Sequence, residues 1–128
     1  MKRIAELQLF DCKTMDGEVL STDDLIIKRM RAGDLRSNGA TKQKHHALLL
    51  IKEYEELRPL DEIVEDFFLR LGGTEAVRAM QDSFQPTQSF LRFHIPSKTS
   101  ELIQDDVLSM ASLAVILKAR LAIDLWFT

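Results

Sequence analysis

The end of the chain places the tightest constraint on the fold. An alternating segment (Ser89–Ile95), a short apolar helical run (Ser109–Lys118) and a second alternating segment (Ala119–Phe127) follow one another there. Alternation with a period of two marks a half-buried strand, so this succession calls for a sheet with helical cover on one side. No catalytic motif interrupts it, and any activity is expected to lie elsewhere.

The rest of the chain supplies the other layers. Ala5, Leu7 and Leu9 alternate with Glu6 and Gln8, which predicts a first strand over Ile4–Phe10. Asp16-Gly17 marks a turn. Beyond it, Ser21 or Thr22 with Asp23 and Asp24 can cap a short helix that buries Leu25, Ile26 and Met30 and stops at Gly33. The run Leu25-Ile26-Ile27 can equally open a strand, so residues 22–32 stay open between the two. Residues 34–44 read as an exposed loop. His46 to Lys52 encloses the run Ala47-Leu48-Leu49-Leu50-Ile51, which predicts a central strand covered on both faces.

Helical periodicity is strongest after Pro59. Leu60, Ile63, Val64, Phe67, Phe68 and Leu71 recur at steps of three and four, with Asp61, Glu62, Glu65 and Asp66 on the other side. Gly72-Gly73 stops this helix, Thr74 can cap a second piece through Met80, and Pro86 ends it. Ser109 can cap the last helix, expected to bury Leu113, Ile116 and Leu117. The fold class that results is α+β: a two-layer sandwich with helices on one face of a mainly antiparallel sheet. At 128 residues it is expected to be a single domain over 1–128.

Composition excludes several classes. With 45% hydrophobic and 29% charged residues, the chain has the make-up of an ordinary globular domain. Glu6 and Gln8 break any signal-peptide core, and the uncharged run Val107 to Leu117 is too short to span a membrane. A lone Cys12 suits a reducing compartment, so a cytoplasmic location is expected. Adjacent histidines on a strand point to opposite faces, so His45 and His46 cannot chelate one ion, and no other metal spacing occurs. Phosphate-loop, dinucleotide and serine-elbow motifs are all missing. Neither a cofactor nor a catalytic residue is expected.

Two surface features remain. Strand alternation puts Glu6, Gln8, Arg92, His94, Asp124 and Trp126 together on the face away from the helices. Arg92, His94, Asp124 and Trp126 could therefore form a ligand-binding site, with Trp126 as an amphipathic anchor. Charge is also segregated. Lys28, Arg29, Arg31, Arg36, Lys42 and Lys44 oppose Asp34 alone between residues 28 and 44. Glu53, Glu55, Glu56, Asp61, Glu62, Glu65 and Asp66 oppose Arg58 alone between 53 and 66. An anionic helix repels nucleic-acid phosphates and attracts basic proteins, which disfavours nucleic acid as a partner.

The stretch from Gly33-Asp34 through His46, the leucine-rich strand, the acidic helix and the runs Leu91–Lys98 and Leu121–Phe127 resemble a family of small bacterial domains of unknown function. The chain departs from that pattern at His46-Ala47-Leu48, where a tryptophan is expected. The resemblance implies a compact α+β sandwich and carries over no catalytic residues. In type, the chain is also similar to the immunity proteins of toxin–immunity pairs, which bind and block a cognate toxin in the cytoplasm. On that analogy the function is non-enzymatic protein binding, with Glu55, Glu56, Glu62, Glu65 and Asp66 contacting a basic toxin domain. Two alternatives stand beside it: a small-molecule or nucleotide-binding domain using the open sheet face, and a structural homo-oligomer paired through the C-terminal strand.

Overall fold

Alternation along the first strand decides which side of the molecule becomes the core. In the computed structural model, which describes residues 2–19, 24–36, 39–96 and 107–127, the elements are β1 (Arg3–Cys12), β2 (Ile26–Met30), β3 (Ala47–Tyr54), α1 (Leu60–Leu71), α2 (Thr74–Phe84), β4 (Pro86–Ile95), α3 (Met110–Lys118) and β5 (Ala122–Phe127). The strands form one sheet in the order β2-β3-β1-β4-β5. All neighbours are antiparallel except β4 and β5. Parallel neighbours need a long crossover, and the chain between Pro96 and Leu121, which includes α3, provides it.

Leu7 of β1 stands between Leu50 of β3 and Leu91 of β4, with Leu9 beside Leu48 and Ala5 beside Phe93. All of these side chains except Phe93, which is 1% exposed, are fully buried. Above them lie Ile63, Phe67 and Leu71 of α1, Val77 and Phe84 of α2, and Ile116 of α3, in one continuous apolar cluster. The intervening residues of the strands face the other way, where no helix covers them among the described residues. This is an α+β fold with its helices on one side of a mainly antiparallel sheet.

Local chemistry fixes the helix ends. Asp61 and Glu62 occupy the first turn of α1, where the dipole favours negative charge. Gly72 ends it at φ 93°, a left-handed position that costs glycine little, and Gly73 N–H donates to the Phe68 carbonyl at 2.8 Å. At Gly17 the reason for glycine is space, since a Cβ there would come within 2.7 Å of the Phe84 ring. Arg29 packs over the same ring and donates to the Met15 carbonyl at 3.1 Å, which ties the segment after β1 to β2.

Helix α3 is docked by one carboxylate. Asp61 Oδ1 accepts from Ser109 N–H and from Ser112 Oγ, both at 2.8 Å, while Ser109 Oγ caps the helix by accepting from Ser112 N–H at 3.1 Å. These bonds, led by the one from Ser109 N–H, hold the Asp61 carboxyl below its usual value. A depressed value in the folded state means stabilisation that is present above the unfolded pKa and lost as pH falls through the folded one. Asp61→Ala is expected to cost about 1–2 kcal/mol at neutral pH, given charged hydrogen bonds at a partly exposed site. Urea unfolding at pH 7 and below pH 4 tests this, and the gap between wild type and variant should narrow in acid.

The structure revises several sequence expectations. Residues 26–30 are strand, not helix, and Ile26 is exposed where burial was expected. Residues 22–23 lie outside the described residues. The run 47–51 belongs to β3, but the centre of the sheet is β1, and Leu49 and Ile51 are only partly covered because no helix among the described residues lies on that face. Thr74 is the first residue of α2 and not its cap, Gly73 holding the cap position without a side-chain bond. That helix runs to Phe84, and β4 starts at Pro86, a strand position where proline forfeits no internal ladder bond. Residues 119–121 turn, with Arg120 at φ 60°, so β5 starts at Ala122. Leu113 and Leu117, expected in the core, are exposed; of the three named for burial in α3, only Ile116 is buried.

Candidate functional site

Register on the uncovered face brings the predicted polar residues together. Glu6 of β1 pairs with Arg92 of β4, which pairs in turn with Asp124 of β5, and His94 pairs with Trp126. Pairing makes contact. Arg92 Nε donates to Asp124 Oδ2 at 2.8 Å, and Trp126 Nε1 donates to the same oxygen at 2.9 Å. The Arg92 guanidinium lies 4.1 Å from the Trp126 ring centroid and 5.1 Å from that of Phe90. Ring centroids of His94 and Trp126 are 5.5 Å apart, edge to face, and His94 Nε2 lies 3.3 Å from Glu6 Oε2.

The physical result is a rigid platform. Asp124 neutralises Arg92 and orients the indole, while the flat guanidinium is held between two aromatic rings. Trp126 keeps 45% of its surface exposed in this arrangement. An ordered aromatic ring half in water loses little conformational freedom when another surface covers it. Of the six residues that alternation placed on this face, Glu6, Arg92, His94, Asp124 and Trp126 belong to the cluster, and Gln8 lies further along β1 toward β2. Phe90, which the same alternation puts on this face, completes it.

Toward β2 the same face becomes a groove of about 670 Å³ beneath the hairpin that follows β2. A bridge between Leu35 and Lys42 closes the hairpin. Phe10, Lys28, Met30, Arg36 and Gln43 are among its walls. Gln8 reaches it from β1, and its Oε1 is buried with no hydrogen-bond partner among the described residues. Sequence reasoning missed this groove because it depends on the hairpin folding back over β1 and β2.

The acidic residues are arranged differently. Glu55 and Glu56 lie in the turn before α1, and Glu62 and Glu65 on its outer side. Asp66 is drawn inward: Tyr54 Oη donates to it at 2.8 Å, and Arg70 Nε lies 3.6 Å away. Burial and that carboxylate keep the Tyr54 phenol protonated far above its ordinary range. Arg58 offsets Glu62 at 3.6 Å. In the cationic segment, Arg31 pairs weakly with Asp16. The two charge blocks thus find these partners separately; Glu62, Glu65 and Asp66 sit on α1, away from the open face, whereas Glu53 of β3 shares that face with Leu49 and Ile51.

The remaining candidates have structural settings. His45 Nδ1 lies 3.2 Å from Asp11, which also accepts from Thr87 Oγ1, and His46 Nδ1 accepts from Ala32 N–H at 3.0 Å. Among the described residues no group of three or more His, Cys, Asp or Glu side chains is placed to hold a metal ion. Cys12 is buried, with Sγ donating to the Leu9 carbonyl, and burial followed by the Asp11 charge pushes its thiol up to about 11. The native thiol should therefore resist a disulfide reagent at pH 8 and react promptly in denaturant; equal rates would contradict this burial. None of the helices among the described residues is long and apolar enough to cross a membrane.

In comparisons with family models, curated proteins and solved structures, the chain has no match in any of the three.

Proposed function

We propose that this chain is a protein-binding domain that receives its partner on the open face of the sheet. The observation that carries the reading is the Arg92–Trp126–Asp124 stack, internally braced, with Trp126 45% exposed, on a face that no helix covers among the described residues. Tryptophan and arginine are the side chains most enriched among residues that dominate interface energies. Here both are pre-positioned, and Ile51 and Leu49 extend the face with partly exposed apolar surface. The mechanism is burial of a standard-size interface around an aromatic anchor, with no chemical step.

In its narrower form the partner is a toxin domain and the chain its immunity protein. Glu55, Glu62 and Glu65 would then steer a basic partner from a distance, since they lie off the open face. The test compares tagged wild type, Trp126→Ala and the pair Glu62→Lys, Glu65→Lys as baits for proteins of the source cell. A polypeptide held by wild type and the charge variant but lost by Trp126→Ala supports the open face. Loss with the charge variant alone would move the contact to the acidic helix.

One observation favours a second reading, a small ligand in the groove that carries a hydrogen-bond donor together with an anionic group. The unpartnered Gln8 Oε1 needs a donor, and Lys28 and Arg36 supply positive charge beside it. Titration calorimetry with nucleoside phosphates, repeated on Lys28→Ala, decides this reading; heat that is unchanged by the substitution would remove it.

A further inference from the structure

Among the described residues β5 is an edge strand, and it carries none of the usual protection of an edge. It lies last in the sheet, and its sequence Ala-Ile-Asp-Leu-Trp-Phe holds no lysine and no proline. Its one charge, Asp124, is already paired with Arg92. Natural edges are usually blunted by charge, proline or bulges, because free N–H and C=O groups recruit another strand. On the helix side of β5, Ile123, Leu125 and Phe127 are 37%, 43% and 61% exposed.

Helix α3 continues the apolar surface. Ser112 binds Asp61 of α1, and Val115 shares a surface depression with Phe68 and Leu69 of the same helix, so that flank of α3 faces α1. At 100° per residue, Met110, Leu113 and Leu117 lie on the flank turned away from α1. α3 packs against α1 and α2 on its other side and leads directly into β5, so this exposed flank adds to the apolar surface at this end of the molecule. Met110 is 82% and Leu117 77% exposed.

We infer that this edge is covered by a second copy of the chain, through antiparallel pairing of β5 with β5 about a two-fold axis normal to the sheet. Three arguments single out a second copy. First, the six exposed side chains offer roughly 700 Å² at about 200 Å² for a whole large residue, close to the ~800 Å² that each partner brings to a standard interface. Second, an identical edge is the one surface guaranteed to match this edge in length and apolar pattern, and a two-fold closes the assembly. Third, the geometry suits helices as well as strands. A two-fold axis normal to the sheet keeps the helices of both copies on the same side of the doubled sheet, so their exposed α3 residues share one side.

Overlap and charge select the register, since a centre at Ile123 or Trp126 would pair only half of the strand. Residues opposite one another must share a face, so the axis passes a residue and not a gap. An axis at Asp124 would set two carboxylates opposite each other, which is unfavourable. Centred at Leu125, the pairing sets Leu125 against its own copy, Ile123 against Phe127, and Asp124 against Trp126. The two Arg92–Trp126 platforms then flank the axis on the open side of a doubled sheet.

Sedimentation equilibrium of the wild type should give twice the 14.7 kDa of one chain. Leu125→Lys places two like charges at the axis and should give the single-chain mass with an unchanged circular dichroism spectrum. Oxidation of Leu125→Cys should yield a covalent dimer at high fraction. Ile123→Cys alone should not, since its copies are separated along the strands. A single-chain mass for the wild type across micromolar concentrations would overturn the inference, as would a dimer that survives Leu125→Lys and does not cross-link through position 125.

Discussion

Replacing Phe67 by alanine is expected to remove about 3–5 kcal/mol of stability, the usual cost of deleting a fully buried ring from a core that only partly relaxes. Phe67 is 0% exposed on the buried stripe of α1, which puts side chains in the core at every helical turn from Leu60 to Leu71. Its ring covers the same side of the sheet as Leu7, Leu50 and Leu91, the row of leucines across β3, β1 and β4. A domain of this size has about 5–15 kcal/mol in total, so the loss removes a large part of it. Urea unfolding followed by circular dichroism measures the change. The neighbouring Leu69→Ala is the control: Leu69 is exposed, and its loss should cost well under 1 kcal/mol. Similar costs for the two would mean that the helix packs through a different stripe.

The second large effect concerns binding and leaves stability nearly untouched. Trp126→Ala should weaken capture of the partner by at least roughly 30-fold, the equivalent of about 2 kcal/mol expected for an aromatic anchor. Trp126 is 45% exposed, so its removal costs the fold less than that of the fully buried Phe67. Arg92→Ala should weaken binding by a comparable amount for a different reason. It removes the cation from the indole face and leaves Asp124 without its ionic partner at 2.8 Å. The two changes act on one stacked unit, so the double variant should fall short of the sum of the singles. Full additivity in surface plasmon resonance would show that the two side chains act independently and that the platform is no unit.

The open face was legible in the sequence because it rests on alternation alone. Once β1, β4 and β5 are strands, parity places Glu6, Arg92, His94, Asp124 and Trp126 on one side, whatever the strand order. Helix α1 was legible for a similar reason, with its apolar stripe and the glycine stop at Gly72 both written locally. β2 was not. The segment Leu25-Ile26-Ile27 suits helix and strand alike, and its ladder with β3, from Ile26 opposite Ile51 to Met30 opposite Ala47, is a non-local pairing that no local pattern reveals. Leu113 and Leu117 misled for the converse reason. An apolar helical position predicts burial only if the sheet extends beneath it, and the sheet ends at β5. The groove at Gln8 escaped notice because a hairpin far along the chain forms its wall.

Trp126 is the only tryptophan in the chain, so its fluorescence reports the proposed contact without labelling. The most direct measurement is acrylamide quenching of the free protein and of the protein saturated with the polypeptide it captures. If the open face receives the partner, emission shifts to the blue and quenching falls on saturation. Quenching and emission that stay unchanged at full occupancy would place the contact elsewhere and contradict the account.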